Sequence, residues 1–222
     1  MIPFVVKKTK QEYFNILYEL VFLFTIGCFI GVVYETIYCL FQFGEFQSRK
    51  GLIYGPFNPV YGVGVVVLTE CLKNKKSIVS LFLSGCLLGG FIEYLCSWFQ
   101  ETFLGSLSWD YSRYFLNFDG RTSLFHMLGW GMMATLFILY VYPWLLKLLD
   151  AIPKTKRCPL TMILILFFLF DMSVSAYANI RQQERLAGIE ATSAIQRFFD
   201  KHYPDSLLQK IYPKKKIVKK AP

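Results

Sequence analysis

Two glutamates in near-identical surroundings are the residues of this chain best placed to do chemistry. Glu35 closes the stretch Gly27-Cys28-Phe29-Ile30-Gly31-Val32-Val33-Tyr34-Glu35, and Glu93 closes Gly85-Cys86-Leu87-Leu88-Gly89-Gly90-Phe91-Ile92-Glu93, 58 residues further on. The shared pattern is G-C-x-x-G-x-x-x-E, and each copy lies in a run of roughly 20 mostly apolar residues, the length a helix needs to cross a bilayer. In each copy two glycines and the glutamate recur at i, i+4 and i+8, which puts them on one helix stripe. Small residues there admit a second helix at close range, and the carboxylate points into that interface. An ionisable group at such a depth is costly unless paired, hydrated or protonated, so a functional site is the first reading; a glutamate near a helix end that snorkels to the headgroups is the bland one.

Arg49 and Arg121, in the links after each motif helix, are candidate counter-charges. Between them lies Gly55-Pro56-Phe57-Asn58-Pro59-Val60-Tyr61-Gly62, which opens the second helix and makes Asn58 and Tyr61 candidates, since a helix start exposes amide donors that can hold an anion. The ordinary alternative is a proline-stiffened helix start packed on the first helix. Asp110 in Trp109-Asp110-Tyr111-Ser112 and His126 on the fourth helix are further candidates. His126 is either a packing residue or a proton or ligand partner. No nucleophile–base or metal-ligand spacing stands out, so no catalytic residue, metal or other cofactor is assigned.

The elements that must position these residues follow from composition. Of 222 residues 55% are hydrophobic and only 18% charged, below the quarter or so expected of a soluble domain, which marks a membrane protein. The formal charge of +9 could suggest nucleic acid, but the basic residues sit in short clusters between apolar spans, so none is expected as a partner. Six cysteines are scattered, without a C-x-x-C pair, and read as small hydrophobes.

The resulting architecture is all-α and polytopic, with about five transmembrane helices. A basic leader (1–13) precedes membrane hairpin 1 (14–72) and membrane hairpin 2 (77–146), two similar units related by an approximate axis along the membrane normal. A fifth membrane helix (159–178), interrupted by Asp171, and a basic amphipathic tail (179–222) complete the chain. With the N-terminus cytoplasmic, the leader and the second and fourth links hold ten basic residues against four in the first and third links, as the positive-inside rule requires. The tail fits the rule poorly. Parallel repeats place shared sites at their interface, so Glu35 and Glu93 are expected to face one another there.

The set Gly31, Glu35, Tyr38, then Arg49-x-Gly51, Gly55-Pro56-x-x-Pro59-x-Tyr61-Gly62, Glu93 and Trp109-Asp110-Tyr111-Ser112 resembles the ABC-transporter type IV family, also called CmpB-like, over about residues 15–146. The resemblance implies a multi-pass permease of the bacterial cytoplasmic membrane. The chain has no G-x-x-x-x-G-K-[ST] phosphate loop, so an ATPase would be a separate partner chain, beside membrane lipids. Three function classes stay open: a permease subunit or small transporter, a membrane-embedded enzyme acting on lipid or wall precursors, and a non-catalytic scaffold.

Overall fold

The structure, a computed structural model, describes residues 9–217. Residues 1–8 of the expected leader and the last lysines of the tail, Lys219 and Lys220, lie outside the described residues. Four helices are long and apolar enough to cross a membrane, with bounds Lys10–Gln42, Ile78–Leu104, Leu124–Ala151 and Lys154–Leu186. Their flanks carry exposed apolar side chains such as Leu87 (67%) and Leu166 (59%), as lipid-facing surfaces do.

The first helix, α1 (Lys10–Phe43), begins in a capping box of Thr9 and Glu12 and ends on Gly44 in the left-handed conformation. The segment after it is no ordinary link. Residues 44–58 turn back along α1, and the Asn58 amide donates to the Cys28 carbonyl at 3.1 Å, deep in the helix. Only there does α2 (Pro59–Leu72) start, capped by the Asn58 side chain and with Pro59 where a missing amide costs nothing. At 14 residues α2 covers only about 21 Å, short of a bilayer's apolar thickness. The second crossing expected from the sequence is therefore built of two pieces, a descending loop and a short helix.

Irregular backbone at that depth must find partners inside the protein. The Gly51 and Leu52 amides donate to the Phe57 carbonyl, the Ile53 amide to Ser175 Oγ at 2.9 Å and the Tyr54 amide to Asp171 Oδ1 at 3.1 Å. Leu52 and Phe57 fill the space between Cys28 and Phe168.

Helix α3 (Ile78–Leu104) rises beside α2, and a loop with the two-residue strands β1 (Ser106–Leu107), β2 (Asn117–Phe118) and β3 (Thr122–Ser123) leads to α4 (Leu124–Leu136). The chain then widens into one π-helical stretch, Phe137–Val141, before α5 (Tyr142–Ala151). Pro143, in the first turn of α5, lacks an amide and crowds the preceding turn, which accounts for the widening. Helix α6 (Lys154–Leu186) continues eight residues past the boundary at 178 expected from polarity. Its polar end stays helical because its side chains are engaged: Arg181 and Arg185 reach Asp200 on α7 (Ala194–His202), and Arg185 also reaches Asp205 on α8 (Asp205–Ile211). The tail thus folds back against the end of α6 and, through Ile211, against Ser48 in the loop after α1, and β4 (Lys216–Ile217) pairs antiparallel with β1.

The duplication read from the glycines is present in side-chain detail. Added Cβ atoms at Gly27 and Gly31 would meet Val65 and Tyr61 of α2; at Gly85 and Gly89 they would meet Ala134 and Trp130 of α4. Returning contacts match too: Gly62 faces Cys28 and Phe24, and Gly131 faces Cys86 and Phe82.

An added Cβ would lie 2.2 Å from Tyr61 Cγ at Gly31 and 2.3 Å from Trp130 Cβ at Gly89, whereas nothing lies within 4 Å at Gly129. Gly31→Ala and Gly89→Ala are expected to cost about 1–3 kcal/mol each, and Gly129→Ala to gain up to about 1 kcal/mol, by thermal melting in detergent. A second expectation concerns the tail. The Arg181 guanidinium, seconded by Arg185, holds the Asp200 carboxyl below its ordinary 3.8. That contribution is complete above pH 3.8 and is lost as pH falls through the lower folded-state value. Amide exchange in residues 194–211, corrected for intrinsic rates, should accelerate only below about pH 4.

Candidate functional site

Glu35 lies in the C-terminal half of α1, one turn beyond the Gly31–Tyr61 contact. Three groups meet there. Arg49, on the descending loop, forms an ion pair with Glu35 and donates from Nε to Oε2 at 2.5 Å. Tyr61, from the first turn of α2, donates its hydroxyl to Oε1 at 3.0 Å. The loop can bring Arg49 here because Asn58 fixes its lower end, accepting from the Val60 amide at 3.2 Å while its own amide group reaches the Arg49 carbonyl at 3.5 Å.

Glu93 occupies the corresponding place on α3 with a different set of partners. Thr122 Oγ1 donates to Oε2 at 2.7 Å and the Tyr111 hydroxyl to Oε1 at 3.1 Å, and Glu93 itself is 7% exposed. None of these donors is a cation. Arg121 lies nearby but closes on Glu101 and on Ser97 Oγ, and its guanidinium sits over the Tyr94 ring. One repeat therefore neutralises its carboxylate with arginine and the other holds it with hydroxyls.

The two carboxylates are joined by rings. Tyr61, which holds Glu35, lies on Trp130 with ring centroids 5.4 Å apart, and the Trp130 indole is among the groups on Glu93. Tyr111 stacks on His126 at 3.7 Å, and His126 Nδ1 is 2.7 Å from Ser123 Oγ. His126 thus supports the ring whose hydroxyl holds Glu93. In the loop, burial and the Glu93 carboxylate push the Tyr111 hydroxyl well above its ordinary value, so it remains a donor. Asp110 stands apart: its Oδ1 caps a turn by accepting from the Ser112 amide at 3.0 Å.

Beside Glu35 a cavity of about 760 Å³ opens between α2, α3, α6 and the descending loop. Glu35, Arg49 and Asn58 line it; Glu93, Arg121 and His126 do not. Thr122, Tyr111, Trp130, Glu101 and Asp171 complete the arrangement, and the sequence reading does not single them out as site residues. Only Asp171 carries a usable signal: Asp171, Ser175, Asn179 and Gln182 recur at helical spacing, and all four are buried.

The family model described as Putative ABC-transporter type IV matches residues 22–176. No curated protein and no solved structure matches the chain. The matched span begins in α1 and ends in α6, so it includes the descending loop, both carboxylates and Asp171.

The Glu35–Arg49 pair is partly buried, with side-chain exposures of 20% and 18%. Arg49→Gln leaves the carboxylate without its cation and should cost roughly 1–3 kcal/mol, less than a fully buried pair because water still reaches it. The double variant E35Q/R49Q should be the more stable of the two, since it leaves no charge stranded. Chemical denaturation in mixed micelles compares them.

Proposed function

The chain belongs to the ABC-transporter type IV family, and we propose that it is a permease subunit whose solute path runs through the cavity beside Glu35, with a separate ATPase chain supplying energy. One observation carries this reading: a discontinuous crossing, loop then short helix, that sets an ion pair against a cavity inside an apolar bundle. Transporters build binding sites from broken helices of this kind, placed where two repeats meet. Ordinary packing has no need of the arrangement, because a continuous second helix would satisfy its backbone without recruiting Asp171 and Ser175.

Within this reading the two carboxylates divide the work. Glu35 and Arg49 form a bound pair that a charged solute group can compete for, exchanging one partner for another. Glu93 is held by neutral donors, so a proton can neutralise it without stranding a cation. The chain of rings from Glu93 through Trp130 and Tyr61 to Glu35 gives such a change a path to the cavity wall. The basic residues of the leader and links support an N-terminus in the cytoplasm of a bacterial cell; the contacts of the tail with the descending loop and with β1 then put the tail on the far side, against the same rule.

Gentle affinity purification from native membranes tests the proposal. A stoichiometric ATPase chain is expected, and Glu35→Gln and Glu93→Gln should leave that complex assembled while lowering its ATP turnover about tenfold. Reproducible absence of an ATPase, under conditions that preserve a known ABC complex, overturns the subunit reading. Loss of assembly in both variants with turnover per complex unchanged points to a scaffold instead.

A further inference from the structure

The cavity has two ends of opposite character. At its deeper end the walls are apolar, and Leu95 (41% exposed), Trp98 (45%), Phe99 (52%) and Met172 (43%) open it sideways between α3 and α6, toward the lipid. At the other end the tail closes it, pinned by the β1–β4 pairing and by Ser48 Oγ, which donates to the Ile211 carbonyl at 3.0 Å. Four cationic residues line the cavity, Arg49, Lys50, Lys214 and Lys215, against the single carboxylate of Glu35, which Arg49 already occupies.

Two groups at the closed end lack the partner their chemistry calls for. Lys215 reaches inward to the side-chain oxygens of Asn179 and Gln182, both neutral, and lies over the Tyr212 ring at 5.5 Å. The Tyr212 hydroxyl, buried in the same wall, turns its oxygen toward Ser175 and Asn179, while its proton has no acceptor among the described residues. A half-buried ammonium on amide oxygens beside a hydroxyl proton without an acceptor is an arrangement that an anionic oxygen completes.

We propose that this cavity binds one net-anionic phospholipid, its phosphate held by Lys215, Lys214, Lys50 and the Tyr212 hydroxyl, and its acyl portion leaving sideways along Trp98, Phe99 and Met172. A zwitterionic lipid, whose phosphate is already offset by its own ammonium, gains little from the lysines, and a free inorganic anion gains nothing from the apolar arm. The volume is within the range of specific ligand sites, and the sideways opening lets a chain longer than the cavity continue into the bilayer. Trp109, in the wall on the loop side of α3, is the kind of side chain most often found at headgroup depth. Burial pushes the Lys215 ammonium down to about 8, opposed by Asp205 and assisted by Arg185, and Tyr212 up to about 12. A phosphate offsets the first effect, and the second keeps Tyr212 a donor. Lipid as the cargo of the permease rests on the function proposed above; occupancy of the site does not.

Native mass spectrometry of the delipidated full-length chain tests it, with dioleoyl phosphatidic acid, dioleoyl phosphatidylcholine and inorganic phosphate as probes. One phosphatidic acid per chain is expected, bound at least tenfold tighter than phosphatidylcholine. The pair K214Q/K215Q should weaken it roughly 25-fold and leave phosphatidylcholine unchanged. Tyr212→Phe removes the hydroxyl alone, and Met172→Trp blocks the acyl arm without touching a charge; each should weaken phosphatidic acid several-fold, so the proposal stays testable if the double lysine variant fails to fold. Equal binding of the two lipids, indifference to all three variants, or inorganic phosphate displacing the lipid at matching concentration overturns it. Lipid binding with no ATPase partner fells only the transport reading, and a stable ATPase complex without selective lipid binding fells only this proposal.

Discussion

Two amides hold this structure in its unusual form. The Ile53 and Tyr54 N–H groups sit where no helix of their own supplies acceptors, and Ser175 and Asp171 take them. Ser175 in turn donates to the same Asp171 oxygen at 3.1 Å, so one carboxylate oxygen organises the loop and its supporting helix together, while Asp171 Oδ2 is left buried without a partner among the described residues. Everything that distinguishes the second crossing from an ordinary helix depends on this anchorage. The loop's descent sets Arg49 beside Glu35, delays the start of α2 to the level of Cys28, and leaves the volume that becomes the cavity.

The internal duplication is close in its packing and loose in its chemistry. Glycine, cysteine and aromatic positions correspond pair by pair between α1–α2 and α3–α4, because helix approach at this distance admits few solutions. The links between those helices are under no such restriction. One descends and contributes an arginine; the other folds into short strands above the bundle and contributes a threonine and a tyrosine. The two glutamates share a frame but differ in the partners that decide their charge, so the duplicated halves are unequal, with an ion pair and a cavity beside one carboxylate and hydroxyls around the other.

Composition and spacing made the membrane class, the helical fold and the repeat legible, since apolar length and the glycine stripe are direct consequences of helix geometry in lipid. Glu35 with Arg49 could be guessed from the same pattern, and Asn58 and Tyr61 follow from the proline-flanked helix start. Arg121 could not be placed: its choice of Glu101 over Glu93 depends on where a 19-residue loop lays its backbone, which no periodicity records. Asp171 was visible as an interruption in an apolar run, but its role needed the partner loop 117 residues away. The end of α6 was hidden for a related reason. Polarity usually signals that a helix has left the core, and here the polar turn is covered by a tail that only the fold brings back.

The sequence distance between the loop and its acceptors also fixes an order of assembly. Ile53 and Tyr54 leave the ribosome more than a hundred residues before Ser175 and Asp171. Until α6 is made, the descending loop has no acceptors at depth, and α2 is too short to hold a crossing by itself. The descending loop and α2 must therefore stay unfinished beside α1 until the last span is synthesised, so a part of the chain translated early is among the latest to reach its final place.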